Sequence, residues 1–159
     1  MIKAKKQIDS YEIKTALMRY FRWQRQFICA EEVGLGGGWA DILADTGEQI
    51  YEVEVKVSKA DLKNESKKRK HNKDWGHKAN KFYICVPEYL IKDALKWVNK
   101  TDKRYGVIEY RDLYNVYVIK KAKLLHDKYN PEIKDIINRR LSTMVIDFML
   151  KKCEAKELL

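Results

Sequence analysis

Ile50-Tyr51-Glu52-Val53-Glu54-Val55-Lys56-Val57-Ser58 alternates apolar and charged side chains. Successive side chains of a strand point to opposite faces, so Tyr51, Val53, Val55 and Val57 face a core while Glu52, Glu54 and Lys56 share the other side. That second side is either a solvent-facing row with a Glu54 to Lys56 ion pair or a place where chemistry is done. Just upstream, Thr46-Gly47 signals a turn and Trp39 to Asp45 reads as the preceding strand. Gly34, Gly36, Gly37 and Gly38 form a hairpin tip, and Phe27 to Val33 is the strand before it. Further back, Asp9 and Ser10 precede Ile13, Leu17, Tyr20 and Phe21 at helical spacing, which predicts a helix from Tyr11 to Gln26.

Downstream, Ser58 suits the N-cap of a lysine-rich helix running to Lys70, and Asn72 to Asn80 lacks periodicity and reads as a loop. Phe82 to Val86 is an apolar run fit for a buried strand, and Pro87 opens a helix from Glu88 to Val98. Gly106 to Tyr110 and Val116 to Ile119 read as two further strands. Pro131 opens a long amphipathic helix with Ile133, Ile136, Ile137, Leu141, Met144, Val145 and Phe148 on one stripe. The pattern predicts an α/β fold, a central mixed β-sheet flanked by helices. Residues 1–120 form the core, and 121–159 form a C-terminal helical extension that packs on the core or serves as an oligomer interface.

At 159 residues the chain fits one domain. Hydrophobic residues make up 45% and charged residues 35%, and no apolar run approaches the ~18 residues of a membrane span. The first nine residues carry lysines but no apolar core of a secretory signal, so the expectation is a soluble cytoplasmic protein with no membrane partner. Cys29, Cys85 and Cys153 match neither a disulfide framework nor a zinc site and are expected to be buried thiols. The net charge of +10 is unevenly spread, with −6 over residues 27–57 and +6 over 58–81. An acidic island inside a basic protein suits a nuclease, in which lysines hold phosphates and carboxylates hold a cation.

Asp41 follows the glycine tip, and twelve residues separate it from Glu54 on the next strand. A short hairpin sets two such carboxylates side by side, where they repel unless a cation lies between them. Mg²⁺ takes one or two carboxylates plus water and phosphate oxygens. Asp41, Glu54 and the backbone carbonyl of Val55 are therefore the expected metal ligands, with Mn²⁺ able to substitute. Lys56 shares Glu54's face and is expected to favour hydroxide formation and oppose charge build-up at the scissile phosphate.

These residues resemble the PD-(D/E)XK nucleases, whose pattern is a glutamate on a helix, an aspartate on a hairpin, then E-x-K on the following strand. Glu12, Asp41, Glu54 and Lys56 fall in that order. Residues 52–62, with Ser58 and Asp61 after the lysine, and Phe82 to Pro87, an aromatic strand ending in Val-Pro, are similar to the bacterial and phage branch called MmcB-like. The resemblance covers residues 10–120. It implies a restriction-endonuclease-like core, Mg²⁺-dependent hydrolysis of DNA and a role in repair, recombination or phage DNA processing. Two departures stand out: Ala40 rather than proline precedes Asp41, and no Gln-x-x-x-Tyr follows Lys56.

Several of these residues also have simpler roles. Glu12 lies three residues after Asp9, the spacing of a capping box, while the resemblance gives it a place at the metal through a water. Ser58, Lys59, Lys63, Lys67, Lys68, Arg69, Lys70 and Lys78 are expected to contact DNA, although Ser58 also caps a helix and the cations could form only a solvated face. His71 and His77 lack metal spacing, and Trp75 is suited to stack on a base or to plug the core edge. The rival readings are a non-catalytic DNA-binding or assembly module and a Holliday-junction resolvase, which requires a homodimer with two sites; separately, the C-terminal helix is a candidate homodimer interface.

Overall fold

The structure, a computed structural model, describes residues 8–72 and 76–157. Trp75 lies outside them. The chain is α/β. Six strands form one sheet in the order β1-β2-β3-β4-β5-β6, namely Ile28–Gly34, Trp39–Asp45, Ile50–Val55, Lys81–Pro87, Gly106–Asp112 and Asn115–Lys120. The first three are antiparallel, β3, β4 and β5 run parallel, and β6 returns antiparallel. The two parallel steps need crossovers, and helices α2 (Lys59–Glu65) and α3 (Ile91–Thr101) supply them.

Helix α1 (Ser10–Arg19) buries Ile13, Ala16 and Leu17 against one face of the sheet, among Ile42, Ala44, Val53, Val55, Tyr83 and Cys85. On the opposite face, α2, α3 and the turn that leads into α3 pack Leu62, Leu90, Ala94 and Val98 against Phe82, Ile84, Val86 and Val107. Strand β4 is thus covered on both sides, which is why Phe82 to Val86 is continuously apolar. Helix α4 (Pro131–Glu157) continues the second layer, setting Ile133 and Ile137 against Ala30, Val33 and Leu43 of β1 and β2. Arg140 Nε donates to the Glu31 carbonyl at 3.0 Å. The extension therefore packs on the core through its first half, whereas Val145, Ile146, Phe148, Met149 and Leu150 of its second half are exposed. No helix among the described residues is long and apolar enough to cross a membrane.

Local chemistry accounts for the departures from expectation. The α-helix expected to reach Gln26 stops at Arg19 and continues as one π turn, Tyr20–Gln24. Gln26 then takes a left-handed backbone (φ 60), and the Phe27 N–H closes on the Phe21 carbonyl at 2.9 Å. The helix expected to reach Lys70 stops at Glu65. A helix through Lys67, Lys68, Arg69 and Lys70 would crowd like charges; the chain instead makes a short 3₁₀ turn, Arg69–His71, that sends Lys68 and Lys70 inward to carboxylates. Pro87 ends β4, and a 3₁₀ turn over Glu88–Leu90 leads into α3, which runs to Thr101 rather than Val98. Cys29 and Cys85 are buried, but Cys153 is exposed because its half of α4 has left the core.

Candidate active site at a fork in the sheet

Strands β2 and β3 stay paired as far as Ile42 and Val53 and then separate. Strand β3 keeps its other neighbour, with the Lys56 N–H donating to the Cys85 carbonyl at 3.0 Å. The N–H of Val55, freed from β2, donates instead to Asp41 Oδ2 at 2.7 Å. A carboxylate thus takes the place of a ladder carbonyl, and its second oxygen is left facing the fork, 3.9 Å from Lys14 Nζ. Burial and the nearby charge of Glu54 hold the Asp41 carboxyl above the usual aspartate range, against the pull of the Val55 N–H, Lys56 and Lys14. The repulsion between Asp41 and Glu54 expected of neighbouring carboxylates is present.

Glu52, Glu54 and Lys56 share one face, as the alternation requires, but that face is buried rather than solvent-facing. Glu54 Oε2 lies 3.1 Å from Lys56 Nζ and 2.5 Å from Lys68 Nζ, and Oε1 lies 2.5 Å from Lys70 Nζ. Glu65 Oε2 is 2.9 Å from both Lys56 and Lys68, while Glu52 pairs with Lys70. Three carboxylates meet three ammoniums. Burial alone would raise Glu54, but Lys70, with Lys56 and Lys68, brings its carboxyl below the usual range despite Glu65. Burial likewise disfavours the charge on Lys56, yet Glu54 and Glu65 hold its pKa above that of a free lysine, so it stays cationic.

The fork opens into a cavity of about 320 Å³ lined by Asp41, Glu54, Val55, Lys56, Glu65 and Lys68, with the N-terminus of α1 at its rim through Ser10. Asp41, Glu54, Lys56 and Val55, singled out from the sequence, are therefore brought together. Glu12 does not line this cavity. Its N–H donates to the capping Asp9 at 2.8 Å, and its carboxylate accepts from Tyr110 Oη at 2.5 Å. Ser58 caps α2, accepting from the Asp61 N–H at 3.1 Å. Lys59 reaches Asp93 on α3 at 3.5 Å, and Lys63 lines a groove beside Trp97. Lys67, Lys68, Arg69, Lys70 and Lys78 surround a second cavity under the glycine tip. Of the expected phosphate track, Lys68 and Lys70 are already engaged by the buried glutamates.

Two site residues carried no sequence signal. Glu65 is hidden inside a basic run, and Lys14 is recruited by Glu32, whose left-handed backbone (φ 50) accompanies its ion pair with that lysine. Behind Glu65 the histidines form a relay. Glu65 Oε1 meets His71 Nε2 at 2.8 Å, and Tyr105 Oη meets His71 Nδ1 at 2.9 Å and His77 Nε2 at 2.6 Å. Both imidazoles pack against Phe82, so they belong to the core.

Mg²⁺ asks for only one or two protein carboxylates, and Asp41 and Glu54, which line one cavity beside the Val55 backbone, are donors of that kind, with both Glu54 oxygens ion-paired to Lys56, Lys68 and Lys70. No group of three or more histidine, cysteine or acidic side chains suited to a metal occurs among the described residues. No family model, curated protein or solved structure matches the chain.

Proposed function

We propose that the protein is a metal-dependent DNA nuclease of the PD-(D/E)XK kind, hydrolysing phosphodiester bonds with Mg²⁺ or Mn²⁺. The observation that carries this reading is the fork itself, which delivers Asp41, Glu54 and Lys56 from two diverging strands into one cavity. Their placement on β2 and β3, with Glu12 on α1, is the order the family resemblance implies. Asp41, Glu54 and the Val55 carbonyl would hold the cation, which would supply Lewis acidity toward water and a phosphate oxygen. Asp41 keeps one oxygen locked on the Val55 N–H, so its other oxygen has a fixed direction. Lys56, kept charged by Glu54 and Glu65, presents an ammonium to the non-bridging phosphate oxygens and opposes the charge that develops there.

Incubation of circular, linear and four-way-junction DNA with Mg²⁺, Mn²⁺ or EDTA is the test, using Asp41→Asn and Lys56→Met, near-isosteric changes of which the second removes a cation from the buried cluster and is therefore paired with an unfolding measurement. Both should lose cleavage while retaining a cooperative unfolding transition. Parental cutting by folded Lys56→Met would end the mechanism. One observation favours a second reading, a DNA-binding module without turnover: the cluster of Glu52, Glu54 and Glu65 with Lys56, Lys68 and Lys70 balances its own charge and needs no cation to be stable. Calorimetry separates the two, because Mn²⁺ binding that is absent from the parent, or unchanged in Asp41→Asn, selects the non-catalytic module.

A further inference from the structure

We infer that the cavity beneath the glycine tip receives an unpaired nucleobase of a DNA strand, stacked on Trp39. The inference rests on the nuclease reading of the adjoining cavity, with which it shares Lys68 as a wall.

Trp39 pairs across the hairpin with Gly34, and a Cβ on that glycine would stand 3.8 Å from the indole ring. The six-membered ring of the indole thus lies beside the bare glycine backbone. The side chain nevertheless stays 66% exposed, an open aromatic surface on a rigid strand end. Covering Gly34 explains the contact with the glycine but not the cavity in front of the ring, about 360 Å³ in volume and walled by Lys67, Lys68, Arg69, Lys70 and Lys78, of which Lys68 and Lys70 are ion-paired with buried glutamates and Lys78 donates to the Leu35 carbonyl. Glu52 is the one acid among the described lining residues, and Lys70 already neutralises it. Gly37 and Gly38 add bare backbone, and a Cβ on either would meet nothing within 4 Å among the described residues, which leaves room there for a flat ligand.

An aromatic platform inside a cationic enclosure fits single-stranded DNA, where stacking takes the base and ammonium groups take the phosphates. Duplex bases hide their faces from such a platform. A strand whose backbone reaches Lys68 has its phosphates toward the fork and a base toward Trp39, which makes single-stranded or frayed DNA the preferred substrate.

Fluorescence anisotropy in EDTA, where no cleavage occurs, would use labelled oligothymidylate, an abasic phosphodiester of equal length and a blunt duplex, with thymidine monophosphate as competitor. The parent should prefer oligothymidylate to the abasic oligomer by about fivefold or more, the discrimination that one stacked base provides. Trp39→Ala should bind both at the abasic level, and so should Trp39→Leu, which still covers Gly34 but offers no π face. Trp39→Phe should keep most of the preference. Parental discrimination in Trp39→Leu would overturn the inference, as would competition by the mononucleotide at the oligomer's own affinity. If the parent cuts duplex DNA yet ignores bases, only this inference fails; if it binds no DNA in any form, the nuclease reading fails with it.

Discussion

Replacing Lys70 by methionine asks how much the buried ion cluster contributes to the fold. Lys70 Nζ lies 2.5 Å from Glu54 and 3.7 Å from Glu65, also pairs with Glu52, and its side chain is only 17% exposed. Methionine keeps most of the volume against Phe82, whose ring the ammonium now overlies at 5.3 Å, so the change is chiefly one of charge. A unit pair ~4 Å apart at an effective dielectric of ~20 is worth about 4 kcal/mol. Three such attractions disappear, and the lysine's own desolvation cost offsets part of the loss. Breaking a buried pair by removing one partner costs about 3–5 kcal/mol, out of a total stability of ~5–15 kcal/mol. For a chain of this size that is a fall in Tm of about 6–20 °C. Urea unfolding followed by circular dichroism reads it directly as a lower midpoint at constant m. Adding Glu52→Gln to Lys70→Met should restore part of the loss, because the carboxylate left without its nearest cation is then neutral. A loss under about 1 kcal/mol, with no rescue, would show that the cluster is solvated and that the charge reasoning is wrong.

The outer and inner cations should separate by assay. Neutralising Lys67, Arg69 and Lys78 together should weaken DNA binding for all sequences alike and lower the log-log salt slope by ~0.7–0.9 for each phosphate no longer neutralised, with cleavage at saturating DNA retained; an unchanged slope would exclude these residues from the interface. His77 makes a pH prediction. Burial, reinforced by His71 and Lys70, pushes its pKa down to about 3. Between pH ~6.5 and that value the unfolded chain holds a proton that the folded chain lacks, so stability should fall on acidification by up to about 1.4 kcal/mol per pH unit. His77→Phe should flatten that slope in pH-dependent urea melts, and an unaltered slope would place the responsible group elsewhere.

Period-two alternation made β3 legible, and with Thr46-Gly47 and the glycine tip it placed the three-stranded meander within a residue or two of where it lies. Capping chemistry placed the N-termini of α1 and α2, because Asp9 and Ser58 bond the backbone N–H groups three residues on, but not their C-termini, which fall at Arg19 and Glu65 rather than Gln26 and Lys70. The site was legible to the extent that it is local: Asp41, Glu54 and Lys56 are strand positions joined by one hairpin. What covers the charged face was not. Lys68 and Lys70 meet Glu54 across 14 and 16 residues, a separation that no helical or strand period encodes, and by composition their segment resembles a solvated helix. Spacing reads Glu12 as a cap and the family resemblance as a metal-site residue, and only the packing of α1 on β5 brings Tyr110 to its carboxylate.

On the proposed function, the distal half of α4 would give ionic strength two opposing effects on this molecule. Its exposed Phe148, Met149 and Leu150 offer apolar surface to another copy, but each copy carries a charge of +10. At low salt, mutual repulsion keeps two such chains apart while polyanions are drawn in. At ~0.1 M the Debye length is about 10 Å, and higher salt shortens it further. Association through this face would then tighten under the same conditions that loosen the grip on phosphates. Salt would act as a selector between a chain on nucleic acid and a chain on its own kind.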